Sequence, residues 1–142
     1  MSDVRTISKI MLIDDDEIHS NLCYELILKS GITQSVSIYN DAEEALEFIR
    51  ENTSNPDVLP DLIFLDINMP FMDGWEFLDA YEAVKPEVSK HIVLILLTSS
   101  VYKNDIEKAK QYKSVVEYIK TPISINKLLE TREEYFNKLK TV

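Results

Sequence analysis

The chain has 142 residues, 45% of them hydrophobic, with two glycines, one cysteine and a formal charge of −10 from 25 acids against 15 bases. That length and apolar content suit one domain with a single good core, and they exclude disordered and fibrous classes. The acidic balance argues against direct binding of nucleic acid, which needs net Lys and Arg to neutralise phosphates.

Cys23 has no partner for an internal disulfide, and its apolar neighbours mark it as a small buried hydrophobe. The stretch from Met1 to Ile7 lacks an apolar leader, and the longest apolar run, Ile92 to Leu97, is too short to cross a bilayer. The expectation is a soluble, cytoplasmic protein with no membrane partner.

Ile7 to Ile13 reads as a first strand that stops at Asp14-Asp15-Asp16. A helical stripe follows at Ile18, Leu22, Cys23, Leu26 and Ile27 and ends at Gly31. Val36 to Tyr39 makes a short second strand, and Asn40 or Asp41 can cap a helix whose inner face is Ala42, Ala45, Leu46 and Ile49. The polar segment from Glu51 to Pro60 is a surface loop. Leu62 to Leu65 has no polar alternation, so it reads as a strand buried on both faces. It ends in Asp66, and Pro70 and Gly74 break the chain before a helix carrying Phe77, Leu78, Tyr81 and Val84.

Pro86 ends that helix, and Ile92 to Leu97 forms a fourth buried strand closing on Thr98-Ser99-Ser100. A thinly apolar helix follows at about Lys103 to Tyr112, then a fifth strand at Val115 to Lys120. Ser124 caps the last helix, with Leu128, Leu129, Tyr135, Phe136 and Leu139 facing inward. Five strands alternating with five helices predict an α/β fold: a doubly wound, flavodoxin-like parallel sheet in the order 2-1-3-4-5. The whole of 1–142 is expected to be one domain, with its core at about 9–139 and no output domain.

That strand order brings Asp14 and Asp15 beside Asp66 at the switch point, where such sheets bind ligands. Thr98 and Lys120-Thr121 end the neighbouring strands. Acids after a strand are commonly no more than a solvated turn and a helix cap, the role expected of Asp16 and Glu17. Three carboxylates together are different. At an effective dielectric near 20, one pair about 4 Å apart costs about 4 kcal/mol, so a cation is expected among them. An all-oxygen set suits Mg²⁺, whereas zinc is not expected because His19 and His91 are placed outside the site. Mg²⁺ beside a carboxylate points to phosphoryl transfer, with Asp66 attacking phosphorus. A flavin phosphate would be repelled by Asp14-Asp15-Asp16-Glu17, and a phosphatase of the haloacid dehalogenase type would want an acid where Asn68 stands.

With Asp14-Asp15, Asp66-x-x-Met69-Pro70-x-Met72-Asp73-Gly74, Thr98 and Pro122 in order, the chain resembles a response regulator receiver domain of the single-domain type in two-component signalling. The resemblance implies Asp66 as phosphoacceptor, fed by a sensor histidine kinase or histidine phosphotransfer protein. It implies Mg²⁺ held by Asp15, Asp66 and the main-chain carbonyl of Asn68, and through water by Asp14. Thr98 would contact the phosphoryl group, with Ser99 keeping access to it, and Tyr118 would be the switch aromatic. An unknown downstream protein would read the face of the fourth helix, fifth strand and fifth helix. No enzyme activity is implied beyond making and losing an aspartyl phosphate.

One position departs. The family's Lys just before the strand-5 Pro is here Thr121, with Lys120 one residue early. Side chains alternate along a strand, so Lys120 should point away from Asp66 unless the strand bulges. The departure opens a second reading, a pseudo-receiver binding module with an impaired switch. The resemblance also makes Thr121-Pro122 a candidate for the cis bond that often precedes this Pro in the family.

Overall fold

The computed structural model describes residues 5–67, 73–98 and 103–141. Strands and helices alternate along the chain as β1 (Ile10–Ile13), α1 (Glu17–Ser30), β2 (Val36–Tyr39), α2 (Ala42–Glu51), β3 (Leu62–Asp66), α3 (Gly74–Val84), β4 (Val93–Thr98), α4 (Lys103–Ala109), β5 (Val115–Lys120) and α5 (Ile125–Asn137). Every strand pair is parallel, and the sheet order is β2-β1-β3-β4-β5, as the alternation predicts.

The side-chain period of two divides each strand between two cores. Met11, Ile13, Ile63, Leu65, Leu94 and Leu96 pack with the inner faces of α2 and α3. Ile10, Leu12, Leu62, Phe64, Val93, Ile95 and Leu97 pack with α1 and α5 on the other side. Burying each such side chain is worth about 1.5–3 kcal/mol, so the central strands hold the carboxyl edge as a rigid shelf.

Three elements differ from expectation. Ile7 makes only an isolated bridge to Thr33, and β1 begins at Ile10 because the carboxylate of Asp61 takes the Lys9 N–H at 2.9 Å. The expected stripe of α1 is rotated: Ile18 and Leu22 are 76% and 60% exposed, while Ser20, Cys23 and Ile27 face inward. The polar Ser20 goes inside because its hydroxyl has buried partners, donating to the Glu17 carbonyl at 3.1 Å and accepting from the Asn40 amide. Finally, α4 ends at Ala109, and Tyr112 lies against α3 instead, stacked on Trp75 at 5.9 Å and donating to Asp79 at 2.8 Å. Among the described residues, no helix is long and apolar enough to cross a membrane.

Candidate functional site

β1 and β3 lie side by side with Ile13 level with Leu65, so Asp14 and Asp66 leave adjacent strands at one edge. By alternation both belong to the α1 side of the sheet, with Leu12 and Phe64. Asp14 is fully buried, and both its carboxylate oxygens and its main-chain carbonyl have partners. One carboxylate oxygen accepts the Asp16 N–H at 3.0 Å, and the main-chain carbonyl accepts the Asn40 amide at 2.7 Å. The other carboxylate oxygen meets Nδ1 of His19 in a very short contact.

His19 corrects the expectation that it lies outside the site. Asp16 caps α1 by accepting the His19 N–H at 3.0 Å, which puts His19 in the first helical turn. Helical side chains lean towards the N-terminus, so the imidazole falls back over the strand ends. The ligand atoms of Asp14, His19 and Asp66 all lie within 4.8 Å of one another. Behind the ring, Nε2 is 3.8 Å from the Cys23 sulfur, one helical turn on. Burial first, then the charges of Asp14 and Asp66, push the Cys23 thiol up to about 11, so it stays protonated near neutrality.

Asp15 is half-buried and is not part of that close trio among the described residues. Its carboxyl sits above the usual range because of burial and, next, the neighbouring Asp14. Both causes disfavour its negative charge, and a cation at this edge would offset them. The donor set fits a hard divalent ion at its oxygen atoms, with one imidazole nitrogen beyond what such an ion needs.

Thr98 is buried at the end of β4, and its carbonyl accepts the Thr121 N–H at 2.8 Å. Tyr118, half-buried, is level with Leu96, and Lys120 is exposed and level with Thr98. The register of β5 does shift, between Leu94 and Ile95, where Val116 is passed over. The bulge lies upstream, so alternation from the buried Ile119 puts Lys120 on the same side of the sheet as its register partner Thr98, with Thr121 one residue past the strand. The Thr121-Pro122 bond is cis.

Asn68, Met69, Pro70, Met72, Ser99 and Ser100 lie outside the described residues. The end of that loop is described: Asp73 and Glu76 form a reciprocal capping box, and the Gly74 N–H returns to the Ile67 carbonyl at 3.1 Å. A Cβ on Gly74 would sit 2.5 Å from the Ile67 Cα, so only glycine lets α3 start this close to the strand end.

His19 and Asn40 are the site residues that a reading of strand ends alone misses. The signal for His19 is its place three residues after a capping Asp on the helix leaving the edge.

A family model described as the response regulator receiver domain matches residues 10–133. A two-component response regulator from Cytophaga hutchinsonii superposes with a TM-score of 0.84 at 27% identity, covering 94% of this chain and all of that one. The phosphorylated cyanobacterial phytochrome response regulator RcpA superposes at 0.70 with 27% identity, covering 92% and 94%. Hybrid signal transduction histidine kinase I of Dictyostelium discoideum is 30% identical over 86% of this chain, which spans 7% of the kinase.

Proposed function

The chain belongs to the response regulator receiver domain family, and from that premise we propose that it is a phosphoacceptor switch of a cytoplasmic two-component phosphorelay. The carrying observation is the pairing of Asp66, at the end of β3, with the buried Asp14 at the switch point of the sheet. A carboxylate oxygen of Asp66 attacks the phosphorus of a phosphohistidine. The O–P bond forms as the N–P bond breaks, and the donor ring leaves with that electron pair, protonated on its other nitrogen. A histidine kinase or phosphotransfer protein is the donor, a reading supported by the likeness to a hybrid kinase and to a regulator described as phosphorylated.

Asp15, Asp66 and the Asn68 carbonyl would hold Mg²⁺, with Asp14 reaching it through water. The ion supplies charge neutralisation for the phosphoryl oxygens. Thr98, buried one strand over, takes a phosphoryl oxygen, and Tyr118 follows it and alters the α4–β5–α5 face offered to a downstream protein. The test is intact mass after incubation with acetyl phosphate and Mg²⁺. One phosphoryl adduct is expected on the wild type and none on Asp66→Asn; an undiminished adduct on the variant overturns the assignment.

The placement of Thr121 favours a second reading, in which phosphorylation occurs but is poorly coupled to the partner face. Thr121, at the place of the family's Lys, brings no cation that would pair with a phosphoryl oxygen, and Lys120 is exposed one residue early.

A further inference from the structure

We propose that Asp14, His19 and Asp66 form a binding site for a borderline divalent transition ion of the Zn²⁺ class, with Nδ1 of His19 as the nitrogen ligand. Mg²⁺ takes oxygen donors, and imidazole nitrogen suits zinc, nickel and cobalt. The three ligand atoms already converge within 4.8 Å. A tetrahedral ion with bonds near 2.1 Å spaces its ligand atoms about 3.4 Å apart, so it would take the place of the proton between Nδ1 of His19 and the Asp14 oxygen, part those two atoms and draw Asp66 in. It is a built arrangement: Asp14 is fully buried, its second carboxylate oxygen is held by the Asp16 N–H, and the His19 backbone is fixed by the Asp16 cap.

Behind the ring, the Cys23 sulfur 3.8 Å from Nε2 can accept a hydrogen bond from Nε2–H once Nδ1 carries the ion. Such an outer partner fixes the tautomer of a ligating histidine. This site differs from the Mg²⁺ arrangement proposed above in using Asp14 directly and in leaving Asp15 aside. Its consequence rests on that reading: an ion of this class would occupy a carboxylate oxygen of the phosphoacceptor and hold the switch unphosphorylated. The binding itself does not depend on phosphorylation.

Metal-free protein titrated calorimetrically with Zn²⁺ in excess Mg²⁺ is expected to bind one ion per chain. His19→Ala should lower the ratio of Zn²⁺ to Mg²⁺ affinity by more than about tenfold. The chain has two histidines, so ¹⁵N spectra of the wild type give a readout that needs no variant. Zn²⁺ should displace the Nδ1 resonance of His19 and leave His91 in place. An unchanged affinity ratio, a shift confined to His91, or no Zn²⁺ binding overturns the proposal. None of these readouts involves phosphate, so failure of the acetyl phosphate assay alone would count only against the phosphoacceptor reading.

Discussion

Cys23 lies behind the site, and its thiol, pushed up to about 11 by burial and by Asp14 and Asp66, ties stability to alkaline pH. The folded protein keeps the proton more tightly than the unfolded chain, whose thiol titrates near 9.0. The contribution is therefore complete below pH 9.0 and is lost as pH rises through about 11. Tyr81, pushed up to about 12 by its own burial, extends the same trend to higher pH. The urea midpoint of the wild type is expected to fall between pH 9 and 11, and Cys23→Ala should flatten that part of the profile. A profile identical in the variant would show that the thiol does not carry the effect. The same protonation makes Cys23 a poor nucleophile, so its alkylation should await unfolding.

At the scale of elements, the loosest part of the sheet's surroundings is α4, which buries only Ala109 among its described apolar contacts to the core. Its C-terminal end is fastened to α3 by Lys108 and by residues just beyond the helix. Tyr112 stacks on Trp75, its hydroxyl donates to Asp79 at 2.8 Å, and Lys108 sits over the Trp75 ring at 4.8 Å. Ser114 adds a bond from its N–H to Glu82 at 2.8 Å. Tyr112→Phe keeps the stack and removes one hydrogen bond, which should cost about 1 kcal/mol. Hydrogen exchange over 103–109 is expected to rise by about fivefold while the amides of β3 and β4 stay protected. Equal exchange in α4 would mean that the stack alone holds it.

The sequence displays this architecture because buried runs, capping acids and breakers recur at regular intervals. Leu62 to Leu65 could only be a strand buried on both faces, and five such units leave few topologies. The convergence of Asp14 and Asp66 follows from strand order alone. Which way α1 turns does not, because Ser20 is drawn inward by the Glu17 carbonyl and by Asn40, a residue of the loop between β2 and α2. For the same reason His19 is invisible to a period count: its position depends on the capping geometry of Asp16 and the lean of the first turn.

Across the whole molecule, the proposed switch turns on whether the end of β5 can carry phosphorylation at one edge to the partner face. Thr98 is level with Lys120, and the Thr121 N–H is tied to Thr98 at 2.8 Å, so the backbone link between the fourth and fifth strands is present. What Thr121 lacks is charge. A phosphoryl group on Asp66 carries about −2 in place of the carboxylate's own −1, and a Lys at 121 would meet it with a charge-assisted hydrogen bond of about 1.5–3 kcal/mol, roughly 10- to 100-fold in a two-state switch. In the proposed mechanism that share would come, in the wild type, from Thr98 and from the ion. Amide shifts in α4 and β5 on addition of acetyl phosphate and Mg²⁺ are therefore expected in the wild type and should move further in Thr121→Lys. Shifts present only in the Lys variant would favour the poorly coupled module. Shifts equal in both would show that the Thr98 path suffices without a cation at position 121.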